Sequence, residues 1–173
     1  EGVETQVRAA IKEIEGLGAE IKEVSLPTSP YGQMVYAIIT PSEISSNLAR
    51  FDGIRYGHVT GKANNLTEIY GKSRAEGFGE EAKRRIMTGT YTLSAGYYDA
   101  YYKRAQKIRR LIVNEFAEVF KNVDVLLSPT CPNVAPKSGI AQHDPIFAYI
   151  ADQLSVTSNL AGLPSLSVPC GFA

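Results

Sequence analysis

The sequence has 173 residues, of which 44% are hydrophobic and 21% are charged, as expected for one globular domain that can bury a core. Lysine and arginine number 18, equal to the 18 aspartates and glutamates, so the chain as a whole lacks the positive field that attracts nucleic acid. No apolar run is long enough to span a membrane and no signal-peptide pattern opens the chain, so we expect a cytoplasmic protein.

The beginning of the chain predicts a helix, a strand and a second helix. Apolar residues recur at helical spacing over 3–17, with glycines near the end that indicate a cap. Residues 19–26 alternate between polar and apolar side chains, as in a half-buried strand. Residues 31–50 have small and apolar side chains on most sides and predict a buried helix, which Pro41 should kink or interrupt.

The rest of the chain predicts helices separated by short strands. A glycine-rich loop at 52–65 comes first. Hydrophobic periodicity then predicts helices over 66–74, 80–87, 100–120 and from Pro145 through Leu154, and strands over 122–128 and 166–168. Helices that alternate with short buried strands indicate an α/β layer architecture.

Histidines and cysteines give no sign of chemistry in the sequence. His58 lies in a polar loop and His143 precedes an Asp-Pro pair, so both are interpreted as solvated or capping side chains, without metal-ligand spacing. Cys131 and Cys170 each lie beside prolines, and buried, inert thiols are the favoured interpretation. Neither a Gly-x-Ser-x-Gly motif nor a cysteine nucleophile signature is present, so periodicity and composition reveal no catalytic centre.

A group of five tyrosines stands out near the start of the long helix predicted over 100–120. Because they follow helical steps, we favour packing with the hydroxyls at a wet edge over a binding role. The five are Tyr91, Tyr97, Tyr98, Tyr101 and Tyr102. Basic clusters at 83–85 and 107–110 are interpreted as solvated helix faces.

The most specific signal lies in four strings of residues spread along the chain. They read SSNLARFDGIRYG from Ser45, RAEGFG from Arg74 with KRRI from Lys83, LSAGYYDAYY from Leu93, and NLAGLP from Asn159 with SVPCG from Ser167. In this order they resemble the A subunits of glutamyl-tRNA(Gln) amidotransferases, a branch of the amidase-signature family, over essentially the whole chain. The first two strings separate this branch from other amidase-signature hydrolases.

The resemblance implies a partial amidase-signature fold of the α/β class. A mixed β-sheet is covered by helices, and part of the sheet is missing because the upstream segment is absent. Residues 1–173 then form the C-terminal portion of a single amidase-signature domain, and both ends of the chain look cut.

The resemblance also implies an activity for the intact glutaminase subunit. Family members use a Ser, a cis-peptide Ser and a Lys to hydrolyse glutamine to ammonia. The B subunit, with ATP and magnesium, uses the ammonia to convert Glu-tRNA(Gln) to Gln-tRNA(Gln), and the C subunit braces the pair. The glycine- and serine-rich segment that carries the three catalytic residues is not in this sequence. We therefore expect no catalytic residue, metal or cofactor in this chain, and no activity for the chain alone.

Three residues match positions at which the family binds free glutamine. They are Tyr36, Arg85 and Asp152. An arginine fork suits the carboxylate of an amino acid and an aspartate suits its ammonium, so the resemblance assigns these roles to Arg85 and Asp152. Both ligand charges are on one carbon, so the two side-chain heads should converge to within roughly 8 Å.

Two other interpretations stay open. The chain could belong to an amidase-signature hydrolase of another amide, in which case an amino-acid clamp has no purpose. It could also be a non-catalytic scaffold for partner proteins of the amidotransferase. A glycine- and serine-rich nucleophile signature upstream of Glu1 would decide the enzyme class.

Overall fold

The computed structural model of the chain describes residues 2–139 and 150–173, and the regular structure of these residues is helical. The helices that lie wholly within them are α1 (Gly2–Gly16), α2 (Gly32–Asn47), α3 (Leu66–Gly77), α4 (Glu80–Leu93), α5 (Tyr102–Val119) and α6 (Val156–Ala161). Short 3-10 helices, Ser29–Tyr31 and Leu48–Arg50, flank α2. In the described ranges, no helix is long and apolar enough to cross a membrane.

The sheet of the predicted fold is not confirmed. The segments predicted as strands, 19–26, 122–128 and 166–168, form no strand in this structure, and neither does any other described residue. A strand exists only when a second strand accepts and donates its backbone hydrogen bonds, and the pattern of one segment cannot supply that partner. Apolar side chains of these segments are consequently left exposed.

The chain divides into two compact units, Glu1–Tyr36 with Lys107–Ala173, and Ala37–Gln106. The prediction of one domain over residues 1–173 stays a prediction. The first unit has an apolar core that includes Ile112 and Phe116, one turn apart on α5, and Val156 and Leu160, four residues apart on α6. The spacing of four places each pair on one helix face, as amphipathic packing requires.

Polar contacts of α5 fix neighbouring segments of the first unit. Glu115 accepts hydrogen bonds from the backbone N–H and the hydroxyl of Thr28, and Arg109 donates through Nε to the carbonyl of Leu160 at 2.7 Å. Helix α6 ends at Gly162, whose φ of 74° is the left-handed conformation that glycine adopts at a helix C-terminus.

In the second unit, α2 and α4 pack closely. A Cβ on Gly89 would lie 1.9 Å from the carbonyl oxygen of Pro41, so this glycine permits the contact. Hydroxyl pairs lie alongside it, Ser45 with Thr90 at 2.9 Å and Ser42 with Thr92 at 2.7 Å. Ser42, in the middle of α2, meets Thr92 near the end of α4, whereas Asn47, at the end of α2, shares a groove with Glu81 near the start of α4, so the two helices are antiparallel.

Helix α2 runs unbroken through Pro41, so of the two predicted effects the interruption is wrong, and a kink at Pro41 stays a prediction. Proline removes one backbone hydrogen bond, but here its ring is buried and its carbonyl packs against α4. The other helices predicted over 3–17, 66–74, 80–87 and 100–120 are confirmed, with α4 extending six residues beyond the predicted end at 87.

Candidate functional site

A groove of about 480 Å³ lies between the second half of α2 and the first half of α4, within the second unit. The antiparallel packing around Gly89 brings these two half-helices side by side. The groove is lined by Thr40, Glu43, Ile44, Asn47, Leu48, Glu81, Ala82 and Arg85. Its wall thus combines apolar surface with one cation and two carboxylates, which suits a small ligand that carries charge.

Arg85, the predicted carboxylate-binding residue, lies in this groove on α4. Its Nε donates to Oε1 of Glu81 at 2.7 Å. Its side chain is 32% exposed, half the 64% of its neighbour Arg84. Partial burial strengthens the interaction of a guanidinium with a ligand carboxylate, because water competes less.

Glu81 is shared by two arginines. Arg84 donates to it twice, through Nε to Oε2 and through Nη2 to Oε1, each at 2.7 Å. These hydrogen bonds, with that from Arg85, lower the pKa of Glu81 to about 2, and partial desolvation opposes the shift. The carboxylate therefore keeps its charge at every pH at which the folded protein is expected to work.

Asp152, the predicted ammonium-binding residue, lies in the first unit and is exposed. It was predicted in a helix but lies in a turn directly before α6, where its carbonyl accepts from the backbone N–H groups of Ser155 and Val156 at 3.1 and 3.0 Å. The predicted helix start at Pro145 lies outside the described residues.

Tyr36 is half-buried in α2 and also belongs to the first unit. The convergence of Arg85 with Asp152, and the binding role of Tyr36, stay predictions. Sequence reasoning missed the other polar groove residues, which are Thr40, Glu43, Asn47 and Glu81. The spacing of four between Glu81 and Arg85 was a visible signal of their pairing, whereas the proximity of α2 to α4 was not visible in the sequence.

The loop before α3 holds His58, which is exposed as predicted. Its Nε2 lies 2.8 Å from Oε2 of Glu76, and the hydroxyl of Thr60 donates to the other oxygen at 2.9 Å. These hydrogen bonds, that of His58 first, lower the pKa of Glu76. The cluster ties the loop to α3. His143 lies outside the described residues.

The tyrosine cluster packs as the sequence predicts. The rings of Tyr91, Tyr97 and Tyr101 lie 4.3 to 6.2 Å apart between centroids, and those of Tyr98 and Tyr102 lie 5.4 Å apart. The hydrogen bond with Tyr97, followed by partial desolvation, raises the pKa of Tyr91 to about 12. The hydroxyl of Tyr91 therefore stays protonated at neutral pH.

The prediction of buried cysteines is wrong. Cys131 and Cys170 are both exposed, because each lies in an irregular segment whose side chains are mostly in contact with solvent. Within the described ranges, no three histidine, cysteine, aspartate or glutamate side chains are grouped so that they could hold a metal ion.

Comparison with known proteins finds similar sequences in the family that the four sequence strings resemble. The chain is 56% identical to the A subunit of glutamyl-tRNA(Gln) amidotransferase from Macrococcus caseolyticus over 171 residues, which are 99% of this chain and 36% of that protein. The corresponding protein of Streptococcus gordonii is 55% identical over 100% of this chain and 36% of its own length. That of Pseudomonas entomophila is 55% identical over 96% and 35%.

The chain thus spans about a third of the length of the curated relatives it matches. The model of the Amidase family matches residues 1–173. Because this match extends over all 173 residues, the chain belongs to the amidase family.

Proposed function

We propose that this chain is the C-terminal portion of the glutaminase subunit of a tRNA-dependent amidotransferase. The intact protein hydrolyses glutamine to ammonia, which is used to convert Glu-tRNA(Gln) to Gln-tRNA(Gln). The identity of about 55% to A subunits over nearly the whole chain supports this assignment. The structural observation that carries it is the half-buried Arg85 on the wall of the groove between α2 and α4.

The groove supplies one half of a site for free glutamine. An arginine is always charged and presents a planar fork that matches a carboxylate, so Arg85 binds the α-carboxylate. Asp152 binds the α-ammonium in the intact subunit, and Tyr36, which is half-buried in this structure, contributes to the same site. These assignments follow the family positions that the three residues match.

The chemistry of amide cleavage belongs to residues outside this sequence. An amide is unreactive unless a nucleophile is activated and a proton shuttle is in place. We propose that the Ser, cis-peptide Ser and Lys of the intact subunit supply both, so that the chain alone is inactive. The B and C subunits complete the heterotrimer, and the first of these holds the ATP and magnesium. The present chain holds no cofactor of its own in this proposal.

The proposal extends to the fold of the intact subunit. The segments 19–26, 122–128 and 166–168 become strands of a mixed sheet when the rest of the protein supplies their partners. Their apolar side chains, exposed in this structure, support that arrangement.

Arg85→Ala in the intact subunit tests the role of the groove. The variant leaves the carboxylate of glutamine without its cation, and loss of one partner of such a pair costs about 2 kcal/mol or more, so we expect the KM for glutamine to rise about 30-fold or more. Amidation driven by added ammonia should be unchanged, because ammonia bypasses the glutamine site. Both rates are measured on the same complex.

Arg84→Ala is the matched control, because Arg84 is adjacent on α4, carries the same charge and pairs with the same glutamate. Its KM for glutamine should stay within about twofold of the wild type, as for an exposed ion pair. If Arg85→Ala abolishes glutamine-driven and ammonia-driven amidation together, Arg85 supports the fold or an interface with a partner protein and does not bind glutamine. No glutamine hydrolysis by the intact wild type would favour an amidase of another amide.

A further inference from the structure

One carboxylate anchors both arginines in the first turns of α4. Oε1 of Glu81 accepts from Nε of Arg85 and from Nη2 of Arg84, both at 2.7 Å, and Oε2 accepts from Nε of Arg84. Glu81 and Arg85 line the same groove. The most exposed of the three side chains is Arg84, and the least exposed is Arg85.

The helix itself fixes this arrangement. Residues four apart lie one above the other on a helix face, and a glutamate that precedes its arginine by four residues has the favourable order. Glu81 is in the first turn of α4, where the positive end of the helix dipole stabilises a carboxylate. The anchor for Arg85 is thus built on a rigid element and keeps its charge.

Glu81 accepts a hydrogen bond from Nε of Arg85, and the place of this atom in the guanidinium determines the effect of the bond. In a guanidinium, Nε is the side position, and the two Nη atoms form the outer end that matches a carboxylate in a bidentate contact. A hydrogen bond to Nε fixes the rotation of the guanidinium plane, and so fixes the direction of the outer end. An arginine that lacks such an anchor loses more side-chain entropy when a ligand orders it.

We propose that Glu81 is a positioning residue for Arg85, holding its guanidinium in the orientation that receives the carboxylate of the substrate. This inference rests on the proposed function and adds to it a residue that acts through Arg85. Its effect is on the binding of glutamine, since Arg85 takes no part in amide cleavage. The low pKa of Glu81 implies that the anchor is constant across the working pH range and is not a pH switch.

The test uses graded variants in the intact subunit with its partners. Glu81→Met removes the acceptor but keeps side-chain length and helix propensity, whereas Glu81→Gln keeps an uncharged oxygen acceptor. We expect the KM for glutamine to rise about three- to tenfold in Glu81→Met and less in Glu81→Gln, as for a partly exposed charged pair. The kcat at saturating glutamine and the rate with ammonia should stay within about twofold, because positioning acts on binding.

Glu80→Met is the matched control, because Glu80 is the adjacent acid in the same first turn of α4. It removes the same interaction with the helix dipole without removing the Nε acceptor of Arg85. An unchanged KM in Glu80→Met beside a raised KM in Glu81→Met supports the proposal. Equal KM values in the two variants, or loss of the ammonia-driven rate in Glu81→Met, overturn it.

The Arg85→Ala variant separates this inference from the function on which it rests. If Arg85→Ala raises the KM for glutamine and Glu81→Met does not, the positioning role is overturned and the proposed function stands. If Arg85→Ala leaves the KM unchanged, the glutamine-binding assignment itself fails, and the positioning role fails with it.

Discussion

The side chain of Asp52 holds the conformation of the loop that follows it. It is buried directly after the 3-10 helix Leu48–Arg50. Its Oδ1 accepts from the backbone N–H groups of Ile54 and Arg55, both at 2.9 Å, and its Oδ2 accepts from Nε of Arg55. The backbone N–H of Arg55 first, and then that of Ile54, hold the pKa of Asp52 well below its usual range.

The lowered pKa of Asp52 makes its contribution to stability depend on pH. A carboxylate with a lowered pKa in the folded state contributes stability that is present above its unfolded pKa and is lost as the pH falls below that value, about 4. Asp52→Asn keeps a similar acceptor but removes the charge. The variant should therefore be less stable than the wild type at neutral pH, and the difference should shrink below about pH 4.

Urea unfolding of both chains at a series of pH values measures this difference. A constant difference from neutral pH down to about pH 2 would show that the backbone hydrogen bonds alone, and not the charge, stabilise the loop. A difference that grows in acid would contradict the lowered pKa itself.

Single residues also show what the sequence could and could not reveal about the candidate site. Arg85 could be selected only through the family strings, since a basic triplet on a helix is ordinarily a solvated face. The spacing of four from Glu81 to Arg85 predicts their pairing from local geometry. Glu43 and Asn47 line the same groove because α2 packs against α4, a contact between residues far apart in sequence that no local pattern encodes.

At the element scale, the close packing of α2 on α4 depends on Gly89. Gly89→Ala should destabilise the chain by about 1 to 3 kcal/mol, because the new methyl group overlaps the carbonyl of Pro41 and forces the helices apart. Gly71→Ala in α3 is the control, since a Cβ there meets no atom within 4 Å. It should stabilise the chain by about 0.5 to 1 kcal/mol through helix propensity.

The midpoint of urea unfolding measures both variants under the same conditions. Opposite shifts for the two glycines would establish that the contact, and not helix propensity, governs position 89. Stabilisation by Gly89→Ala similar to that by Gly71→Ala would mean that α2 and α4 are farther apart than the structure places them.

Whether a segment is helical could be predicted from the sequence because helix hydrogen bonds join residues that are close together in the chain. Helix hydrogen bonds join residues four apart, so periodicity within 3–17 and 100–120 was sufficient. The end of α4 was missed because Thr88-Gly-Thr-Tyr-Thr has low helix propensity, and contacts with α2 keep this segment helical. Strands at 122–128 and 166–168 could not be decided locally, since their hydrogen bonds depend on a partner segment.

Across the described residues, several exposed apolar side chains lie in segments that have a strand pattern but form no strand. Val125 is 70% exposed and Leu166 is 88% exposed, and both come from apolar runs. Thr130 and Ser167 approach to 3.2 Å between hydroxyl oxygens, so the two segments are neighbours in the first unit. Exposed apolar side chains on neighbouring segments are typical of a surface that another segment or protein covers.

Backbone hydrogen exchange, measured in this chain and in the intact subunit, tests the sheet proposed for the longer protein. If segments 122–128 and 166–168 become strands of a sheet in the longer protein, their amides gain hydrogen bonds that they lack here. Their exchange should then slow by about 100-fold or more, which corresponds to ~3 kcal/mol of opening free energy.

Amides around Ile112, in the buried face of α5, are the internal control and should be protected in both proteins. Equal, fast exchange of the two segments in both proteins, beside a protected α5, would contradict the α/β fold proposed for the longer protein. Because the control reports the core of the same unit, that outcome could not be attributed to unfolding of the chain.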